Sequence, residues 1–259
     1  MKIQKPGVKH RILWAVLLLL INAGETFAQH PLITDDTGIQ GKGKFQLEIN
    51  GQYGRDNNDE VIQFTTPTVS TLTYGVIDSV DVSVGVPYLW IRTDDSGTTT
   101  HHGGFGDVAI ALKWRFYEKD GLGFALKPGI TFPTGDEDKQ FGTGRTTYSL
   151  FFITTKEMTP WKFHVNLGYI GNENRLDQRG PLWHASIASE VEVAKGLKLV
   201  ANTGIQRNTD KSFHTDPAFL LGGFIYSATE SIDIDAGYKY GLTKPEADQT
   251  ILAGVTFRF

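Results

Sequence analysis

Residues 250–259 read TILAGVTFRF. Ile251, Ala253, Val255, Phe257 and Phe259 alternate with Leu252, Gly254, Thr256 and Arg258. That period of two is the signature of a β-strand with one apolar face, and it is held through to Phe259. The terminal residues of soluble domains fray, because ordering them gains nothing without partners. A strand that stays apolar to its last position therefore needs both a pairing strand and an apolar medium for its outer face. A closed membrane barrel supplies both, since hydrocarbon tolerates no unpaired strand edge.

The same alternation recurs along the chain. Phe45, Leu47, Ile49 and Tyr53 oppose Gln46, Glu48, Asn50 and Gln52; Val80, Val82, Val84, Val86, Tyr88 and Trp90 oppose Asp81, Ser83 and Gly85. Val108, Ile110, Leu112, Trp114 and Phe116 oppose Asp107, Ala109, Ala111, Lys113 and Arg115, and Ile232, Ile234, Ala236, Tyr238 and Tyr240 oppose Asp233, Asp235, Gly237 and Lys239. Around 62–76, 146–156 and 217–227 both faces carry apolar or Thr residues, and the pattern is weaker there. No segment holds a 3.6-residue period. The reading is all-β: twelve strands at about 44–55, 61–76, 80–93, 105–117, 121–133, 145–156, 161–172, 181–194, 197–207, 216–227, 231–242 and 248–259.

The connections decide how such strands are used. RDNNDE, TDDSGTTTHHGG, PTGDEDKQFGTGRT, GNENRLDQRG, RNTDKSFHTD and TKPEADQ are long and polar, and they alternate with the short IDS, EKDG, KEMTP, AKG and TES. A β-sandwich has no reason to collect its long loops at one end. A transmembrane antiparallel up-and-down β-barrel of the outer membrane does, with long loops outside, short turns in the periplasm and an even strand number.

The other end of the chain agrees. MKIQKPGVKHR is basic, ILWAVLLLLINA is apolar, and GETFAQ is small and polar. This is the layout of a secretory signal peptide, with an apolar run well short of the roughly 20 residues of a spanning helix. The expected organisation is a signal peptide over 1–28, a periplasmic leader over 29–43 and a barrel over 44–259. Cleavage after Ala28 removes four basic residues and one acidic residue, moving the formal charge from −4 to −7. A nucleic-acid partner would need a concentrated basic surface, and none is expected. The chain has no cysteine, so ladder and packing alone must hold it together.

Four tryptophans remain after residue 28, all on the face assigned outward. Trp90 and Trp183 fall at loop-side strand ends, Trp114 and Trp161 at turn-side ends, and Phe257 and Phe259 join the turn-side set. Amphipathic rings favour the headgroup zone, so two such belts read as membrane anchors. In a water-soluble barrel the large rings would instead gather mid-strand, where a core is deepest.

TDDTGIQGKGKFQLEIN, GGFGDVAIALKWRF and LKPGITFPTGDEDKQFGTG follow one another ahead of the Phe-terminated last strand. This series resembles the outer-membrane transporter family of the "putative meta-pathway of phenol degradation". The resemblance covers most of the chain beyond residue 28 and implies passage of aromatic or other small apolar compounds across the outer membrane of a Gram-negative bacterium. The terminal strand also resembles the signal read by the outer-membrane assembly machinery. Lipids, lipopolysaccharide, that machinery and a small-molecule solute are the expected partners.

No G-x-S-x-G, H-E-x-x-H, P-loop or C-x-x-C is present, so no catalytic residue, metal or cofactor is assigned. His101-His102 reads as a loop tip, Asp136-Glu137-Asp138 as a solvated loop, and Asp35-Asp36-Thr37-Gly38 as an Asx turn rather than a calcium loop. His164, Asn166, His184 and Ser186 share the inward parity. They read as lumen polar groups, with a phospholipase-like barrel enzyme as the alternative and a structural or adhesive barrel as a third class. The inward charges are uneven: Lys113, Arg115 and Lys127 form a basic wall, with Glu190, Glu192, Asp233 and Asp235 roughly opposite. Either water separates the two walls, or they meet in salt bridges that close the lumen.

Deleting Phe259 is expected to leave export intact but slow barrel assembly, because the closing strand loses its terminal aromatic. Semi-native gels should show less heat-modifiable protein, and full assembly of the truncated chain under stressed expression would show the residue to be dispensable.

Overall fold

The structure is a computed structural model describing residues 29–58, 61–95 and 98–259. Thirteen strands are present among the described residues: β1 (Phe45–Asn58), β2 (Val61–Ile77), β3 (Val80–Asp95), β4 (Thr98–Phe105), β5 (Val108–Lys119), β6 (Leu122–Phe132), β7 (Thr147–Met158), β8 (Trp161–Gly171), β9 (Pro181–Ala194), β10 (Leu197–Gln206), β11 (Ala218–Ser227), β12 (Ile232–Gly241) and β13 (Gln249–Arg258). Neighbours pair antiparallel, and the ring closes where β13 meets β1 over Gln46↔Arg258 to Arg55↔Gln249. At the seam the Phe259 amide donates to Phe45 O at 2.9 Å and the Phe45 amide to Phe259 O at 3.2 Å.

β4 corrects the expected strand map. TDDSGTTTHHGG reads as a loop, yet Thr98–Phe105 pairs with the upper half of β3 from Asp95↔Thr98 to Tyr88↔Phe105, while β5 pairs with the lower half. β4 has no neighbour on its other side, so β4 and β5 share one of twelve wall positions. The ladder breaks between them where Gly106 faces Pro87: proline has no amide to donate, and the sole bond runs from the Gly106 amide to Pro87 O. Thr and His are tolerated in strands but mark no period, which is why the extension escapes notice in the sequence.

The walls follow the alternation. Along β3, residues from Asp81 to Thr93 are buried at every odd position, and the even positions from Val84 to Arg92 are exposed. Trp90, Trp114, Trp161 and Trp183 all lie on the outside, 39–47 % exposed. The buried set is polar to a degree no water-soluble core shows, including Glu48, Asn50, Asp81, Lys127, His164, Glu190, Asp233 and Lys239. That inversion is the mark of a barrel with lipid outside and a polar lumen. At the short-turn end Asp120 and Gly121 take φ of 51° and 70°, the twist-matched geometry of a two-residue hairpin.

Single cysteines should report this topology, because the chain has none of its own. Lys139→Cys in an outer loop should react with an impermeant thiol reagent on intact cells. Lys195→Cys at the β9–β10 turn should react only after the outer membrane is broken. The reverse pattern would invert the barrel.

Candidate functional site

The site is the lumen, and the segment before β1 fills its turn-side half. Residues 30–37 run among inward-facing side chains rather than along the outside. His30 Nδ1 pairs with Asp235 of β12. Leu32 is buried among Ala188, Val200 and Ile225, and Ile33 packs on Phe219, Leu221 and Leu252. The Asn202 side chain accepts from the Ile33 and Thr34 amides at 2.7 and 3.1 Å and returns a bond to Thr34 Oγ1 at 2.7 Å. Thr34 donates to Ser186 at 2.8 Å, and the Thr37 amide to Thr155 at 3.0 Å. The segment leaves past Asp81, which takes the Gln40 amide at 3.0 Å, and crosses the β2–β3 turn with the Gly43 amide on Gly75 O at 2.8 Å. Asp36 Oδ1 accepts the Gly38 amide at 2.6 Å, the bond of an Asx turn.

These bonds rearrange the inward charges. Lys113 of β5 reaches Asp35 Oδ1 at 2.8 Å, and Lys127 of β6 holds Asp35 Oδ2. One leader carboxylate therefore joins two of the three basic residues. Arg115 turns to Glu118 at 3.1 Å, near the turn. On the other side Glu190 bonds His164 Nε2 at 2.9 Å and Lys198 at 3.0 Å, Asp233 pairs with Arg258 and Asp235 with His30. Glu192 is exposed and takes the Gly196 amide at 3.3 Å. Asp35 of the leader, rather than the acidic wall, takes Lys113 and Lys127, a third arrangement beside the water gap and the direct salt bridge. Sequence reasoning missed this because a short polar segment carries no period that says which surface it covers.

The loop-side half is closed differently. Asp107, just past the β4–β5 break, accepts the Gly135 amide at 2.9 Å and the Thr143 amide at 2.8 Å, and so folds the 133–146 loop inward. Phe141 of that loop is buried on the inward Leu89 and Ile91. A side chain at Gly104 would put its Cβ 2.7 Å from the Phe141 ring, so this approach needs a glycine. The G-G-F-G-D and P-T-G-D…F-G-T-G stretches are thus two halves of one contact.

Between the Phe141 loop and the leader lies a cavity of about 90 Å³. Phe151, Ile153, Leu182 and Ile33 line it on its apolar sides, with Lys127 and Asp35 among its polar lining. His184 also borders it, bonded to Ser186 Oγ at 2.9 Å and to Gln206 at 3.3 Å. Among the described residues no group of three or more His, Cys, Asp or Glu converges as a metal site would.

Asn202 is the structural anchor of the leader, and its removal strands the buried Thr34 amide and the part-buried Ile33 amide. Each such loss costs about 1–3 kcal/mol. Asn202→Ala should therefore speed hydrogen exchange at Ile33 and Thr34 by roughly ten- to a hundredfold, with the strand amides unchanged. Unaltered protection at both residues would show that packing alone docks the segment.

The sequence pattern of a protein family described as "Putative MetA-pathway of phenol degradation" matches residues 28–259. No curated protein matches the chain significantly. Among solved structures the fold is similar to the COG4313 outer membrane channel from Pseudomonas putida F1, at 13 % identity and a TM-score of 0.71, covering 86 % of this chain and 98 % of that one. It is also similar to the NanC porin (12 %, TM-score 0.55, 82 % and 98 % covered) and to the CymD monoaromatic hydrocarbon channel (8 %, TM-score 0.51, 85 % and 89 % covered).

Proposed function

The chain belongs to the family described as "Putative MetA-pathway of phenol degradation", and from that premise we propose that it is an outer-membrane channel for small apolar, chiefly aromatic, compounds. One observation carries the reading: the lumen is stopped by the segment before β1 and an infolded loop rather than by wall side chains grown inward to meet. A barrel that serves only as scaffold gains stability by filling its interior with its own residues. Here many inward positions are small, among them Ser83, Gly85, Ala109, Ala111, Ala125 and Ser186. The space they leave is occupied by side-chain bonds that can be exchanged for bonds to water or solute. The family's association with phenol and the aromatic cargo named for the CymD channel both fit the apolar side of the cavity.

In this reading Lys113, Arg115, Lys127, Glu190, Asp233 and Asp235 line the route and Glu192 sits at its periplasmic rim. Trp90, Trp114, Trp161, Trp183, Phe257 and Phe259 anchor the wall in the two interfaces. A transport role is favoured over a hydrolase by the outer-membrane channels and porins whose folds this barrel resembles.

Expression in cells with an intact outer membrane should raise the initial uptake rate of toluene severalfold and leave that of a disaccharide unchanged. Equal gains for both would make the protein a general porin, and no gain for either would overturn the channel reading.

A further inference from the structure

The position of Asp35 is itself informative about what passes. Its two carboxylate oxygens are taken by different strands, Oδ1 by Lys113 of β5 and Oδ2 by Lys127 of β6. Asp35 and Lys127 are both more than nine-tenths buried. Two ammonium groups on one carboxylate make an anion site built into the barrel wall, and the group now in it belongs to the leader rather than to the wall. Asp35 and Lys127 both line the cavity, together with the apolar surfaces of Phe151, Ile153 and Leu182.

We propose that Lys113 and Lys127 form the binding site for the carboxylate of a small aromatic acid, whose ring occupies the Phe151–Ile153–Leu182 cavity, and that Asp35 is the internal stand-in for that carboxylate. The inference deepens the channel reading, since a solute crossing between the Phe141 loop and the leader must pass this cavity. Charge favours exchange over simple withdrawal. Withdrawing Asp35 takes from both ammonium groups the carboxylate they share, with Lys113 also giving up its 3.7 Å contact to the leader's Asp36 as the segment moves, and breaking a buried ion pair from one side is strongly unfavourable. An arriving carboxylate replaces the lost partner, so an aromatic anion displaces Asp35, whereas a neutral ring such as toluene passes with the Asp35–lysine bonds in place. Size makes the exchange concerted. A cavity of about 150 Å³ holds one benzene, more than the 90 Å³ present here. A ring therefore seats fully only as Ile33, beside Asp35, moves out of the lining. Asn202 and His30 set how firmly the leader resists this displacement.

Hydrogen exchange on the purified full-length barrel in detergent tests the proposal with three probes. Sodium benzoate should accelerate exchange at Ile33, Thr34 and Thr37 at least tenfold while the strand amides stay protected. Benzyl alcohol, which has the ring without the charge, and sodium acetate, which has the charge without the ring, should each have little effect at the same concentration. Asp35→Asn should give fast leader exchange without any ligand, and Lys127→Gln should abolish the benzoate response, each in protein that still shows heat-modifiable migration. If Lys127→Gln does not assemble, Lys113→Gln serves in its place, and the three-probe comparison on the unaltered protein decides by itself. No response to benzoate, or an equal response to benzyl alcohol or to acetate, overturns the proposal. Toluene uptake with no benzoate response removes the anion site and leaves the channel. A benzoate response without toluene uptake removes the apolar-solute channel and leaves a ligand-released leader.

Discussion

The pairing of β13 with β1 is the constraint on which the rest of the molecule depends. In hydrocarbon an unpaired amide or carbonyl costs several kcal/mol, so a sheet spanning the membrane must close on itself. The seam from Gln46↔Arg258 to Arg55↔Gln249 is where that happens. Once the sheet is closed, side-chain parity is no longer free, since a slip of one residue would turn every lipid-facing group inward. The lipid-facing positions must be apolar, and the polar residues have nowhere to go but the lumen, which they share with inward apolar residues such as Leu89, Ile91 and Phe151.

A lumen lined with Asp81, Glu190, Asp233, Asp235, Lys113 and Lys127 then has its own problem to solve. Charges packed inside a barrel need partners, because their desolvation is offset only by close and well-directed bonds. Part of the solution lies in the wall, where Glu190 is held between His164 and Lys198 and Asp233 by Arg258. The remainder comes from the leader, which gives His30 to Asp235 and Asp35 to the two lysines. The leader docks chiefly against β5–β12. On the β13–β1–β2 side, the buried side chains of Asn50, Gln63, Thr71 and Thr250 find no hydrogen-bond partner within the described residues.

The two closures of the lumen differ in kind. The outer one is apolar, Phe141 on Leu89 and Ile91, drawn in by backbone amides on Asp107. The inner one adds ion pairs at His30 and Asp35 to the apolar packing of Leu32 and Ile33. A solute moving inward meets first a hydrophobic contact that an aromatic ring can replace and then an ionic one that it cannot. This order gives an apolar barrier the task of admitting rings and an ionic barrier the task of reading their substituents.

The sequence by itself determined the barrel: a period of two held through Phe259, loops alternating long and short, and rings of Trp at both ends of the strands. These signals are local or periodic, and lipid on one side enforces the parity of the strands even though it shows weakly around 62–76, 146–156 and 217–227. The inward parity of Lys113, Lys127, Glu190, Asp233 and Asp235 was legible for the same reason. Their partners were not. Only the closed tertiary structure brings Asp35 to the lysines of β5 and β6, His30 to β12 and Phe141 to β3. These contacts join residues 78 to 205 positions apart in the first two cases and depend on where a short aperiodic segment enters a cavity that does not exist until the ring has closed. A polar stretch such as TDDTGIQ states that it needs hydrogen-bond partners. Which wall supplies them is decided by the shape of the lumen.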